Sequence, residues 1–149
     1  MATMQESRHQ SAGITIPAGY LEDVRSAIVA GIDSDSGMLR ATHADVLERS
    51  GAGPEEDRAA GVRHLREDMG LLDQVLDASV DTRVTGDRGA LGHVLEATVR
   101  VLAGQLTDRC EYAPIEMGAV LELARRLRWA AEEAIRIVEP GLDERGAVA

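Results

Sequence analysis

The chain has no phenylalanine and no lysine, one tryptophan, one cysteine and two tyrosines. Each shortage excludes something. Without aromatic bulk, a core must be assembled from Leu, Val, Ile, Met and Ala, side chains that fit the close approach of one helix to another. A single cysteine, Cys110, forbids an internal disulfide and fits a reducing compartment. No apolar run approaches the roughly 18 residues of a membrane span. The opening MATMQESRHQ is polar and lacks the apolar core of a secretion signal. These features predict a soluble, cytoplasmic protein with no membrane role. Positive charge is scarce as well. The formal net charge of -10 argues against a dedicated nucleic-acid binder, since such proteins gain affinity by neutralising phosphates with Lys and Arg.

The 149 residues suit one domain with a real core. The pattern divides it into a tail over 1–12, a helical domain over 13–141 and a second tail over 142–149. Ile14, Thr15 and Ile16 favour an extended segment, and Pro17 suits the first turn of a helix. From there Leu21, Val24, Ile28, Ile32, Leu39 and Val46 form one stripe at three- and four-residue steps, predicting a helix to about Ser50. The poor helix formers of DSDSG, residues 33–37, could break it, but the stripe stays in phase across them and predicts continuity. GAGP is a turn. Pro54 followed by Glu55, Glu56 and Asp57 starts a second helix, with Val62, Leu65, Met69, Leu72 and Leu76 as its expected buried seam.

VDTRVTGDR, residues 80–88, is the longest break and holds a second extended piece. A third helix follows with Leu91, Val94, Leu95, Thr98, Val99, Leu102 and Leu106. Pro114 opens a fourth, whose expected core stripe is Val120, Ala124, Leu127, Ala131 and Ala134. Pro140 and Gly141 stop it. Helical hairpins over 17–80 and 87–139 predict an all-α, antiparallel up-down-up-down four-helix bundle. Each hairpin is entered by an extended piece, and residues 13–17 and 82–86 are expected to pair as a minor two-strand ribbon.

Motifs for chemistry are sparse. Di-iron bundles use Glu-x-x-His; this chain has the reverse, His64–Glu67 and His93–Glu96, both placed off the expected core and read as solvated ion pairs. No metal site is expected. DSDSG misses the glycine and glutamate positions of a calcium loop. GDRGALG lacks the spacing of a phosphate loop and reads as a capped helix entry with close packing at Gly89 and Gly92. No serine sits in a nucleophile elbow. Cys110 lies near a helix C-terminus, where the dipole disfavours a thiolate, and reads as structural. No catalytic residue and no cofactor emerge. His43 follows the first helix's stripe together with Ser36, giving a weak candidate ligand or pH-sensing site.

RRLRW, residues 125–129, is the densest run of positive charge, and it carries the only tryptophan. Trp129 is expected at the flank or outer face of the fourth helix, near Arg125, Arg126 and Arg128, while Leu121 and Ile135 widen the helix's apolar arc. Trp and Arg are the types most enriched in interface hot spots, and Glu55, Glu56 and Asp57 offer a complement. The sequence therefore predicts a non-enzymatic interaction module that self-associates, most simply as a two-fold dimer, or binds an acidic partner through Trp129, Arg125, Arg126, Arg128, Leu121 and Ile135. A small-molecule or metal-binding bundle at His43 and Ser36 is the alternative. A regulator touching nucleic acid through the arginines is third.

Overall fold

A computed structural model of the chain describes residues 11–49, 54–112 and 116–139, with side chains for 11–37, 58–111 and 116–139. It is mostly helical. In chain order it contains β1 (Ser11–Ile16), a 3-10 turn (Ala18–Tyr20), α1 (Leu21–Arg49), α2 (Pro54–Val75), β2 (Thr82–Asp87), α3 (Arg88–Tyr112) and α4 (Met117–Val138). The expected ribbon is present: β1 and β2 pair antiparallel, with Ile14 opposite Val84 and Ser11 opposite Asp87. Alternation along the strands turns Ile14, Ile16 and Val84 into the core. Ala18 N–H donates to Asp81 Oδ1 at 2.9 Å, which ties the entry of α1 to the entry of β2.

α1 is continuous through DSDSG. Two contacts fix its pairing with α2. Arg25 meets the far end of α2 at Val75, whereas Gly31, further along α1, lies beside Asp68, a Cβ there falling 3.6 Å from Asp68 Oδ2. The two helices therefore run antiparallel. α3 and α4 are likewise in extensive contact, and Gly92 lets the end of α4 approach: a Cβ there would lie 3.2 Å from Val138. The core joins Leu21, Val24, Ala27 and Ile28 of α1, Leu71 and Val75 of α2, Leu91, Val94 and Leu95 of α3, and Ile137 of α4, beneath the ribbon. The α1 stripe is buried as expected through Ile28, with Ile32 half-buried, and so is most of the α3 stripe, Val99 and Leu106 being half-buried.

α2 and α4 are rotated from the expected orientation. In α2 the buried side is Asp68, Leu71 and Val75, while Val62, Met69 and Leu76 of the expected seam are exposed. The ribbon explains this. Gln74 bridges both backbone groups of Thr85, donating to its carbonyl at 2.7 Å and accepting its N–H at 2.9 Å. Leu71 fills the space over Gly86, where a Cβ would be 2.9 Å from Leu71 Cδ2. These contacts with β2 set the helix's rotation, and an apolar count along one helix does not contain them. In α4 the buried line is Leu123, Ala130 and Ile137, while Val138 is exposed and Val120, Ala124, Leu127, Ala131 and Ala134 are only half-buried. Its wide apolar arc permitted more than one rotation.

The two halves of the chain repeat one strand–helix–helix plan. Ile14 and Val84, Leu21 and Leu91, Val24 and Val94, and Ile28 and Thr98 stand at one constant separation, and all eight are buried. In the second helices, Asp68 and Ala130, and Val75 and Ile137, stand at another constant separation and are also buried. That second spacing aligns RHLR, residues 63–66, with RRLR, residues 125–128.

Candidate functional site

α4 carries two different surfaces. Trp129 faces inward from the flank: it is half-buried, packs on the core and meets Tyr20 with ring centroids 5.3 Å apart at an interplanar angle of 46°. Arg126 turns the same way, 3.7 Å from Asp23 of α1 and 3.6 Å from Glu122. Asp23 Oδ2 and Arg126 Nε are both buried without a hydrogen bond. Burial pushes the Asp23 carboxyl up, Arg126 opposes that, and Glu22 and Glu122 add to it.

The opposite side of α4 is largely uncovered among the described residues, although its end at Val138 approaches Gly92 of α3. Met117, Leu121, Ala124, Arg128, Ala131, Ile135 and Val138 follow one another in alternating steps of four and three, the rhythm of a helix seam. Met117 is 60%, Leu121 48%, Ile135 59% and Val138 63% exposed. Charges border this stripe. Arg128 donates to Glu132 at 2.9 Å, and Arg125 lies 3.7 Å from Glu122. Every arginine of RRLRW thus has a carboxylate nearby within its own protomer, which reduces the positive surface left for a phosphate.

Of the expected interface residues, the structure gathers Leu121, Ile135, Arg125 and Arg128 on or beside the outer stripe and separates Trp129 and Arg126 from them. The side chains of Glu55, Glu56, Asp57 and His43 lie outside the described residues. Ser36 is half-buried on α1. Cys110 is a free, exposed thiol rather than a packed one, because the end of α3 projects beyond the core.

Next to Ser36 the structure reveals a second place of interest. Asp35 of α1, His64, Glu67 and Asp68 of α2, Asp87 at the end of β2, and Gly89, Ala90 and His93 of α3 line a cavity of about 390 Å³. His64 lies 3.6 Å from Glu67. His93 and Glu96 form no ion pair; Glu96 is 3.9 Å from Arg100 instead. Asp68 is 6% exposed. Its carboxyl is raised to about 7, first by burial, then by its hydrogen bond with Asp35, by the charge of Asp35 and by that of Glu67.

The internal repeat explains this cavity. The same separations align Tyr20 with Ala90, Trp129 with Glu67, Asp23 with His93 and Arg126 with His64. Where one half holds two rings in tilted contact and an acid–guanidinium pair, the other holds a small residue, a glutamate, two imidazoles and open space. Sequence reasoning missed Asp68 because it sits in a charged run, REDM. The available signal was its phase: Asp68 stands three and seven positions before Leu71 and Val75, on their side of the helix.

Among the described residues no group of three or more His, Cys, Asp or Glu side chains is arranged to hold a metal ion, and no helix is long and apolar enough to cross a membrane. No protein-family model, no curated protein and no solved structure matches the chain.

Proposed function

We propose that this protein is a non-enzymatic interaction module that self-associates through the outer face of α4, in a cytoplasmic setting and without a cofactor. In this reading the helices form an antiparallel up-down-up-down four-helix bundle, and the bundle leaves one face of α4 for a second copy. The observation that carries it is the exposed stripe of Met117, Leu121, Ile135 and Val138 on a helix whose other side is already buried. Clustered apolar side chains on a helix face favour association, unlike single scattered ones.

Charge supports a second copy over an unrelated partner. Arg125 and Glu132 lie two turns apart along one edge of the stripe. In an antiparallel, two-fold pairing of α4 with itself, Arg125 of one protomer approaches Glu132 of the other, and the reverse contact follows by symmetry. In this register the two Arg128 residues flank the two-fold axis, and each extends its head toward the rim with its stem covering apolar surface. Trp129 supports the face from behind by holding α4 against Tyr20.

Sedimentation equilibrium across a dilution series tests this. The natural chain is expected to be a dimer at micromolar concentration, and Leu121→Glu with Ile135→Glu is expected to be a monomer with unchanged helicity. Met69→Glu, on the exposed side of α2, leaves the dimer intact. A natural chain that stays monomeric at ~100 µM, well above the Kd of a specific dimer, overturns the reading, as does an unaltered mass in the double variant.

A further inference from the structure

We infer that the outward face of α2 is a second self-association surface, on which two copies of this chain pair antiparallel about a two-fold axis at Met69 and Gly70, with Arg63 and Arg66 of each copy facing Asp77 and Asp73 of the other.

The rotation of α2 creates this face. With Asp68, Leu71 and Val75 turned inward, Val62, Met69 and Leu76 stand at seven-residue steps on the opposite side, and all three are exposed. In the repeat they occupy the places of Ala124, Ala131 and Val138 on the outer stripe of α4. Both halves therefore turn the same helix side outward, and at these three places α2 carries the bulkier side chains.

Charge order selects the occupant. Arg63 and Arg66 precede the centre of the face; Asp73 and Asp77 follow it, Asp77 lying in the turn just past the helix. All four are exposed. On α4, the outer arginines have carboxylates of their own helix: Arg128 lies 2.9 Å from Glu132 and Arg125 3.7 Å from Glu122. Of the four charges on α2, only Arg63 has such a neighbour, Glu67 at 3.9 Å. Among the described residues, Arg66, Asp73 and Asp77 have no hydrogen bond or ion pair. Arg66 and Asp73 are roughly 10 Å apart along the axis, too far to meet within one helix. α2 also has no basic residue in its last turn, where a cation complements the helix dipole.

A second copy laid antiparallel supplies what is missing. The pairs Arg66–Asp73 and Arg63–Asp77 have nearly the same midpoint, at Met69 and Gly70, so one register serves both, and symmetry makes each pair twice. It also brings a partner's arginines to the end of α2. A parallel copy instead sets Arg66 against Arg66 and Asp73 against Asp73. At the axis Gly70 leaves open space, since a Cβ there would meet nothing within 4 Å, and the partner's flexible Met69 lies across it.

This contact does not rest on the pairing of α4. It is the weaker of the two, because exposed ion pairs contribute little and only three apolar side chains line it. It forms at higher concentration and, where both faces act, joins one α4 dimer to the next.

Disulfide trapping at ~100 µM protein and ~10 mM salt tests it. Cys110→Ser removes the natural thiol, and Gly70→Cys places one beside the axis. Oxidation with diamide is expected to give a covalent dimer, with or without Leu121→Glu and Ile135→Glu. Ala59→Cys, on the same face but roughly 30 Å from its copy in this register, is expected to stay monomeric. In the Gly70→Cys chain, Asp73→Arg with Asp77→Arg lowers the dimer yield about tenfold, as does Arg63→Asp with Arg66→Asp. Mixing those two variants restores it as a heterodimer, because every charge then faces its opposite. Salt at ~1 M, where screening extends only about 3 Å, lowers the yield of the unswapped chain as well. If Gly70→Cys fails to fold, the exposed Met69→Cys takes its place. Absence of a dimer at position 70 or 69, equal trapping by Ala59→Cys, or no recovery on mixing overturns the proposal.

Discussion

The two halves of this molecule follow one plan and close it differently. In the second half, α3 and α4 meet through Leu95, Leu102, Leu123 and Ala130, all buried. In the first, the aligned positions of α1 and α2 are Arg25, Ile32, Gly61 and Asp68, so two of the four are charged. Asp68 stands where the second half has Ala130, and Arg25 stands where it has Leu95. Arg25 is a cross-helix cap: its Nε donates to Val75 O at 3.2 Å, and its Nη2 to Val75 O at 2.9 Å and Ala78 O at 3.0 Å. The difference is one between dispersion and directed hydrogen bonds. Apolar seams tolerate any pH and specify position loosely, whereas the polar seam fixes the end of α2 but depends on protonation.

Exchanging the distinguishing residues is the strongest way to break this comparison. Ala130→Asp places a carboxyl at a fully buried position, and the residue aligned with Asp35 in that half is Gln105, which is not an acid. A buried charge without a counter-charge costs roughly 3–5 kcal/mol. Urea unfolding at pH 8 is expected to show a loss of about 4 kcal/mol, and a smaller loss at pH 5, where the buried carboxyl stays protonated. A variant as stable as the natural chain at both pH values would mean that the second half is not dry at Ala130.

Several parts of this fold were readable from residues alone, for physical reasons. Helix stripes such as Leu21–Val24–Ile28 and Leu91–Val94–Leu95 are local in origin, and the ribbon announces itself through Ile14, Thr15, Ile16 and the turn chemistry around Gly86. Rotation of α2 and α4 was not readable. Val62, Leu65, Met69, Leu72 and Leu76 form a better apolar seam on paper than Asp68, Leu71 and Val75, but Gln74 and Leu71 dock on β2, and a long-range contact outweighs a local pattern. Trp129 shows the same limit. Its arginine neighbours pointed to the flank or outer face of α4, whereas it is half-buried against the core and meets Tyr20, which belongs to the other half of the chain. The candidate interface consequently moved around the helix: Leu121 and Ile135 retained their exposed place and Trp129 did not join them.

Removing the arginine cap probes the first half's polar closure at its other end. Arg25→Leu installs the residue type that the second half uses there, and it deprives the end of α2 of three charge-assisted hydrogen bonds. Hydrogen bonds to charged groups contribute about 1.5–3 kcal/mol, and the leucine recovers part of that by covering apolar surface. A net loss of about 2 kcal/mol is expected, with amide protection lost first around residues 75–78. A gain in stability would show that this half closes through apolar contact as well, and the contrast between the halves would shrink to Asp68 alone.

The mildest test runs the other way, on the one buried polar side chain among the described residues of the second half. Thr98 is buried, and its hydroxyl donates to Val94 O, one turn back in α3, at 2.8 Å. The aligned residue in the first half is Ile28. Because that carbonyl is also served by the ordinary backbone ladder, Thr98→Val removes donor and hydroxyl together and strands no polar group. Such a change is expected to stabilise by up to about 1 kcal/mol, read as a rise in the urea midpoint with unchanged slope. A loss of that size would show instead that the hydroxyl holds the position of α3, and that the apolar half also relies on a directed bond.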